Sequence, residues 1–410
     1  MKKLLGVTLG IMTALGGFVD FGQIVFTMQA GALFRYRLLW AIALGTVAII
    51  VYMEMCGRVA VVAKEPVFAV IRDRLGRRFG LVVLIASNLL NLLTLAAELG
   101  AIAIAVRLLT GWPEKIGLLA ATVLLAAIVA VSRFQWIERL FGLSGLLMIV
   151  FAVTAVLLRP DWNDFASGFL PQGTPGSSQQ LLYFYFAVGI FSAMLMEYEV
   201  HFYSSGALEE DWKPEDLTEN FAVASFGSVL GAVLTCALLV VGALVFLPRS
   251  IYPNLLSSAA IAGAFPFSTR ALLLAVGGII ACLGGAAVET ALSGGYNICQ
   301  FFNLPWGKNL PMAKVKTFTQ TWFAMFGLGL LLVISGLHPL QLVNVSVIFG
   351  MVLMPLTYYP ILRTAMDKNI MGKHVNNWVD TVLGVAILVL ILIAACAAIP
   401  LMIATDAGTP

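Results

Sequence analysis

Residues 182–204, LYFYFAVGIFSAMLMEYEVHFYS, form an apolar stretch that is interrupted by Glu197, Glu199 and His201. As a helix, the stretch is long enough to cross a bilayer, which takes about 20 residues. An ionisable side chain near the bilayer centre costs at least about 2.5 kcal/mol unless it is paired or hydrated. Three such side chains in one membrane helix therefore mark a candidate functional site.

A second apolar stretch, near residues 5–28, contains the sequence GGFVDFGQ at 16–23. Asp20 and Gln23 lie among glycines near its middle, where the backbone unwinds readily. Polar, interrupted helices at corresponding places in two halves of a chain are typical of transporters built from inverted repeats, in which freed carbonyls and helix ends bind ions. We therefore expect the first and sixth membrane helices to be interrupted.

The composition predicts a polytopic membrane protein. Of the 410 residues, 60% are hydrophobic and 11% are charged, against roughly 45–50% and 25% in soluble domains. The net charge of +3 is too small for a nucleic-acid footprint. The five cysteines form no Cys-x-x-Cys pair, which argues against a disulfide framework or a zinc site. We expect the lipid bilayer as partner, and no nucleic acid, no obligate protein partner and no permanently bound cofactor.

Eleven apolar stretches are long enough to span the membrane, and their continuous Leu, Ala, Val and Ile runs predict helices rather than barrel strands. The predicted fold class is therefore all-α. The stretches lie near residues 5–28, 38–57, 80–110, 116–132, 140–158, 182–204, 221–247, 271–300, 317–336, 340–362 and 378–401.

The basic residues set the predicted orientation. With the N-terminus inside, 17 of the 24 Lys and Arg residues fall in cytoplasmic loops, as the positive-inside rule requires. We expect a plasma (inner) membrane protein with a cytoplasmic N-terminus and an outside C-terminus. Residues 1–410 would form a single transmembrane domain, with inverted repeats at about 5–158 and 182–362 and an extra helix at 378–401.

Three motifs resemble the NRAMP (SLC11) family of divalent metal transporters. The family's Asp-Pro-Gly-Asn and following Gln-Ala-Gly are matched by 20–23, Asp-Phe-Gly-Gln, and by 29–31, Gln-Ala-Gly. Its sixth-helix Ala-x-x-Met, with a downstream Ser, is matched by Ala193, Met196 and Ser204. A third likeness is the loop Met366-Asp-Lys-Asn-Ile-Met-Gly372. The resemblance runs from about residue 15 to residue 375.

The resemblance implies a LeuT-like (APC superfamily) fold of two inverted five-helix repeats plus an eleventh helix. It also implies transport of divalent cations by alternating access at a site formed by Asp20, Gln23, Ala193 and Met196. The residue chemistry agrees, because a carboxylate and carbonyl oxygens hold a hard cation while a thioether favours Mn²⁺ or Fe²⁺ over Mg²⁺.

The departures from the family pattern affect the predicted cargo and its coupling. Phe21 and Gln23 replace Pro and Asn of the first motif, and Glu197 and Tyr198 replace Pro and His of the second. Glu197 would add a ligand or negative potential, which favours harder ions such as Mg²⁺. The chain therefore also resembles the NRAMP-related magnesium transporter-like branch.

Proton coupling is expected to be altered or absent. The family's sixth-helix His is Tyr198 here, and the ninth helix lacks basic residues, although a third-helix acid is present as Glu98. Glu98, Glu199 and His201 are candidates for a proton pathway or a water-filled vestibule. We expect two other membrane acids, Glu54 and Glu289, to make structural pairs.

Two other functions compete with metal transport. The same fold could carry a small cationic or zwitterionic organic solute, such as an amino acid, because helix ends at an unwound segment suit it equally. An intramembrane enzyme is the alternative from another class: Gly142-Leu-Ser-Gly145 resembles the Gly-x-Ser of intramembrane serine proteases, with Ser144 as nucleophile and His338 as base. Such a sequence is also common in helix packing, so we predict that the protein is not an enzyme.

Overall fold

The computed structural model describes residues 19–171, 176, 179–253 and 269–409, and every regular element in these ranges is helical. The helices are α1 (Phe21–Phe34), α2 (Leu39–Ala63), α3 (Val67–Leu75), α4 (Arg77–Thr110), α5 (Glu114–Val131), α6 (Phe134–Gly145), α7 (Ile149–Leu157), α8 (Trp162–Ser167), α9 (Gln180–Ala193), α10 (Glu197–Glu209), α11 (Leu217–Val241), α12 (Thr269–Phe301), α13 (Lys316–Ile334), α14 (Pro339–Ala365), α15 (Lys368–Met371) and α16 (Trp378–Ala404). Short 3₁₀ turns occupy Leu146–Met148, Pro214–Asp216, Leu247–Arg249 and Gly372–His374, and Gly242–Phe246 is a π-helical turn.

Ten described helical segments are long and apolar enough to cross a membrane. They correspond in order to the second to eleventh predicted spans. One of them combines α6, its 3₁₀ turn and α7, another combines α9 and α10, and a third extends α11 with its flanking turns. The predicted fifth span starts too late, because its helix begins at Phe134 rather than near residue 140. That start is polar, with Gln135, Glu138 and Arg139 among its first six residues, so hydropathy alone does not reveal it.

Helix six is interrupted as predicted. The helix α9 ends at Ala193, and α10 begins at Glu197 after the extended residue Met196 (φ −62°, ψ 126°). Helix one is described only from its second half. The extended residue Asp20 (ψ 178°) precedes α1, whereas the glycines of 16–17 and the first half of the predicted span lie outside the described residues.

The segments α1 and α10 lie at the centre of the bundle. In α1, every residue but Leu33 is buried, and in α10 the burial runs from Glu197 to Ala207. The helix α2 packs against α10, and α11 packs against α1. The helix α12 packs against α4 and α10. The helices α5, α13 and α16 keep many exposed apolar side chains, as lipid-facing helices do.

The Gln-Ala-Gly motif has a packing role at Gly31. A Cβ atom on Gly31 would overlap the Leu239 carbonyl, and one on Gly242 would overlap the Met28 carbonyl. The backbones of α1 and of the α11 end are therefore in contact, which requires glycine at both positions. Small residues at helix crossings are a general device for close packing in membranes.

The third family-like motif is an ion-paired turn. Asp367 accepts a hydrogen bond from the Asn369 amide at the start of α15 and pairs with Arg74 at 2.9 Å. The hydrogen bond from the Arg74 guanidinium lowers the pKa of Asp367. This pair joins the short helix α3 to the connection between α14 and α16.

A second cluster, the Arg58 cluster, joins the end of α2 to the same connection. Arg58 pairs with Glu54 at 2.8 Å, and its guanidinium donates to the Asn376 side chain at 2.8 Å and to the His374 carbonyl at 2.7 Å. Asn220 of α11 donates to the Glu54 carbonyl at 3.1 Å. The predicted structural pair of Glu54 is therefore confirmed.

We predict that Gly31→Ala lowers the thermal stability of the protein in detergent. The added methyl group must displace the Leu239 backbone, and overpacking of this kind costs about 1–3 kcal/mol. Melting followed by size-exclusion chromatography measures the effect. The matched control is Gly327→Ala in α13, where a Cβ meets nothing within 4 Å. Equal melting temperatures for Gly31→Ala and the control would contradict the predicted backbone contact.

Candidate functional site

The carboxylate of Asp20 connects α1 to α10, the second half of the interrupted helix six. Asp20 is fully buried, and its Oδ1 accepts a hydrogen bond from the backbone N–H of Gln23 at 2.7 Å, so Asp20 caps α1. Its Oδ2 accepts the Tyr198 hydroxyl, from the first turn of α10, at 3.2 Å. The predicted candidate on helix one therefore lies within one hydrogen bond of helix six.

The side chain of Gln23 also extends to helix six, and it leaves one oxygen without a donor. Its Nε2 donates to Met194 Sδ at 3.0 Å and to Thr235 Oγ1 of α11 at 3.0 Å. Its Oε1 is buried and accepts no hydrogen bond within the described part of the chain. A buried, unsatisfied amide oxygen costs free energy and is a suitable donor for a hard cation.

The interruption in helix six supplies backbone groups. Residues 193–196 are all buried, and the last turn of a helix leaves carbonyl groups without intrahelical partners. The predicted ligands Ala193 and Met196 flank this interruption. The sulfur that contacts Gln23 belongs to Met194 rather than to Met196.

The carboxylate of Glu197 is bound by two other helices. It is fully buried, Oε2 accepts the Ser87 hydroxyl of α4 at 3.0 Å, and Oε1 accepts the Thr357 hydroxyl of α14 at 3.0 Å. These contacts give Glu197 a structural role in joining α10 to both helices. Its role as a ligand stays a prediction.

The proposed pathway residues differ in their partners. Glu98 Oε1 accepts the Phe21 amide at 3.0 Å, so Glu98 satisfies the first N–H of α1, and it interacts electrostatically with Asp20. Glu199 interacts electrostatically with Asp20 and Glu289. Neither oxygen of Glu199 and neither ring nitrogen of His201 has a hydrogen-bond partner among the described residues. The His201 ring packs edge-on against Phe68 at 5.1 Å.

The described residues contain no group of three His, Cys, Asp or Glu side chains placed to hold a metal ion. The potential metal ligands near the start of α1 and the interruption in helix six are instead of mixed type. They comprise the Asp20 and Glu197 carboxylates, the side-chain oxygen of Gln23, helix-end carbonyls and thioethers.

Sequence reasoning did not identify several residues of the site. The side chains that hydrogen-bond to Asp20, Gln23 or Glu197 are those of Tyr198, Met194, Thr235, Ser87 and Thr357. Most belong to helices separated from their partners by 110 to 212 positions. No local spacing reports such contacts, although the replacement of the family's His marked Tyr198 as unusual.

A sequence profile described as "Natural resistance-associated macrophage protein-like" (Nramp) matches residues 10–400. The chain belongs to the Nramp family. Similar proteins include the "Divalent metal cation transporter MntH" of Pediococcus pentosaceus, 27% identical over 92% of this chain and 87% of that protein. The protein of the same name from Levilactobacillus brevis is 24% identical over 92% of this chain and 85% of that protein.

Solved structures show the fold of this Nramp-family chain. A manganese transporter of Eremococcus coleocola, in complex with an aromatic bis-isothiourea substituted compound, has a TM-score of 0.81 at 20% identity and covers 98% of this chain and 88% of its own. The nucleobase-cation-symport-1 family transporter Mhp1 has a TM-score of 0.61 at 15% identity, over 97% and 92% of the two chains. The predicted LeuT-like fold is confirmed.

The two residues of the enzyme alternative make structural hydrogen bonds. The Ser144 hydroxyl donates to the Leu140 carbonyl of its own helix at 2.6 Å. His338 precedes α14, and its Nδ1 accepts the Leu340 amide at 3.3 Å. These bonds are typical of a helix interior and of a helix cap.

We predict that Thr357→Val and Glu197→Leu are strongly non-additive in stability. Thr357→Val leaves a buried carboxylate oxygen unsatisfied, which costs about 1–3 kcal/mol, but only while Glu197 is present. The measurement is a double-mutant cycle on melting in detergent. Thr321→Val in α13, whose hydroxyl donates to the Thr317 carbonyl, is the matched control. Additive effects of Thr357→Val and Glu197→Leu would contradict the contact.

Proposed function

We propose that this Nramp-family protein is a secondary transporter of divalent metal cations and works by alternating access. The two similar proteins are named as divalent metal cation transporters, and this chain aligns with most of the length of each. One observation within the chain carries the proposal: a single buried carboxylate, Asp20, is bonded to the first turn of α1 and to the first turn of α10. A cation bound there would contact both halves of the fold, so its binding would change with their relative position.

The proposed cation site consists of Asp20, Gln23, Ala193, Met196 and Glu197. Asp20 provides the charge and the free Gln23 oxygen a neutral donor. Ala193 would contribute its carbonyl at the helix end, and Met196 its sulfur. Glu197 would act through its negative potential, because both of its oxygens already accept hydrogen bonds.

We propose Mn²⁺ or Fe²⁺ as the preferred cargo, with Mg²⁺ second. A thioether binds borderline metals better than Mg²⁺, whereas the added Glu197 favours harder ions. The metal is substrate, and we propose no permanent cofactor. An organic solute is the alternative cargo, and nothing in the relatives' names favours it.

We propose a single domain whose inverted repeats comprise about 5–158 and 182–362, with the eleventh helix at 378–401. The protein would lie in the plasma (inner) membrane with its N-terminus in the cytoplasm and its C-terminus outside, because that orientation places most basic residues inside. The lipid bilayer and the cation are its proposed partners, without nucleic acid or an obligate protein. Proton coupling would be altered relative to the family, or absent, because Tyr198 replaces the sixth-helix His.

We predict that Asp20→Asn lowers Mn²⁺ uptake into proteoliposomes more than about tenfold, since it removes the charge but preserves the shape of the site. Quenching of a trapped metal-sensitive dye measures uptake. Asp164→Asn is the matched control, because Asp164 is partly exposed and pairs with Arg35 at 2.9 Å. Uptake by Asp20→Asn equal to that of the control would contradict the proposed site. If the wild type takes up no Mn²⁺, the organic-solute alternative becomes the better one.

We also predict that Met196→Leu lowers the preference for Mn²⁺ over Mg²⁺, because leucine has similar volume but no sulfur. The preference is measured as the Mg²⁺ concentration that halves Mn²⁺ uptake, which should fall in the variant. Met194→Leu is the comparison. The Met194 sulfur contacts Gln23, so its loss should disturb the site without changing the ratio of the two ions. A changed ratio in Met194→Leu alone would assign the metal-binding sulfur to Met194.

A further inference from the structure

Two acids outside the candidate site lie buried, and neither has a hydrogen-bond donor in the part of the chain that the structure describes. Glu138 of α6 and Glu289 of α12 have no measurable exposure. None of their four carboxyl oxygens accepts a hydrogen bond from any described residue. The expectation that Glu289 makes a structural pair is therefore wrong for the described residues. A buried acid without donors remains charged only at high cost, so both positions require an explanation.

The packing of α6 and α7 on α12 brings these two acids to one level. The helices run antiparallel: Gly278 meets Met148, the Cys282 thiol faces the Gly145 carbonyl at 3.9 Å, and Gly284 meets Phe141. Continuing this register by one turn places Glu138 opposite Glu289. The two carboxyl groups interact electrostatically, as this register requires.

A third acid continues the series toward the end of the bundle. Glu210 follows α10, is partly exposed, and its Oε2 accepts the Trp212 indole N–H at 2.9 Å. Its carboxyl group interacts with that of Glu138. Burial raises the pKa of Glu210, although the Trp212 hydrogen bond opposes this. Two carboxylates that interact at a buried site repel each other unless one of them holds a proton.

The salt bridges among the described residues include none of these three acids. Glu209 also interacts with Glu138, but its own oxygens accept the Tyr296 hydroxyl and the Lys308 and Asn309 amides. The Lys308 ammonium interacts with Glu209. Arg139, whose guanidinium lies over the Trp136 ring, interacts with Glu210. Tyr296 of α12 is uncharged and also faces Glu138.

A proton suits this series better than a metal ion. A metal needs several donors around one point, and no group of three acidic, His or Cys side chains meets at one point within the described ranges. A proton needs only a pair of oxygens. The three acids lie in sequence, because Glu138 interacts with the buried Glu289 on one side and with the partly exposed Glu210 on the other.

We propose that Glu289, Glu138 and Glu210 form a proton exit path from the bundle interior to the loop after α10, the side predicted to be cytoplasmic. In each step the O–H bond of one carboxylic acid breaks as an O–H bond forms on the next carboxylate. Glu138 gives its proton to Glu210, Glu289 then reprotonates Glu138, and the negative charge moves in the opposite direction. Coupling of this path to uptake depends on the proposed cation transport, whereas the proton site itself does not.

The first test detects the proton on Glu138 without any transport. Infrared spectroscopy of the full chain in liposomes reports protonated carboxyl groups by their carbonyl stretch. At neutral pH, Glu138→Gln should remove one such band from the wild-type spectrum, and Glu289→Gln should shift or remove it. Glu114→Gln is the matched control, because Glu114 is exposed and pairs with Arg107 at 2.6 Å. A Glu138→Gln spectrum with the same protonated-carboxyl bands as the wild type would overturn the proposal.

The second test measures proton entry during Mn²⁺ uptake with a trapped pH dye. Glu138→Gln and Glu289→Gln should lower proton entry per Mn²⁺ at least about fivefold, because an amide carries no exchangeable acid proton. Glu114→Gln should match the wild type. Unchanged proton entry in both path variants would overturn the path. If the wild type takes up no Mn²⁺ but Glu138→Gln loses the infrared band, the transport proposal fails and the proton site stands.

Discussion

The structure depends on how a broken helix is satisfied inside a membrane. Lipid offers no hydrogen bonds, so each backbone group freed by an interruption needs a partner from the protein. At the start of α1 the partners are two carboxylates: Asp20 accepts the Gln23 amide, and Glu98 accepts the Phe21 amide. The same Asp20 accepts the Tyr198 hydroxyl. Asp20, which satisfies the start of α1, is thus also a group that could bind a cation.

The second half of helix six extends this constraint through the bundle. Its Glu197 bonds to α4 and α14, and its Tyr198 carbonyl accepts the Ser293 hydroxyl of α12 at 2.8 Å. Further along, Ser205 accepts the Gln300 amide at 2.8 Å. The segment α10 is therefore held by polar contacts rather than by apolar packing alone. Polar contacts of this kind are directional, which suits a segment that has to adopt a defined place.

The sequence predicts the helices better than their contacts. Hydropathy identifies ten described spans, and the charged run after Met196 indicates the interruption in helix six, because both signals are local. The partners of Glu197 are not local, since Ser87 and Thr357 lie 110 and 160 positions away. The pair of Glu54 was predictable because Arg58 lies one helical turn away. Glu289 has no such neighbour, and its relation to Glu138 follows only from the helix register.

The Arg58 cluster has a consequence for how the sequence can drift during evolution. One guanidinium satisfies Glu54, Asn376 and a backbone carbonyl, so loss of Arg58 leaves three groups without their donor at once. Loss of Glu54 alone would leave the nearly buried Arg58 guanidinium without its carboxylate partner. Single substitutions here are costly, whereas a joint change of Arg58 and Glu54 to apolar residues removes both charges together. These two positions should therefore change together among descendants of this chain, with Asn376 following them.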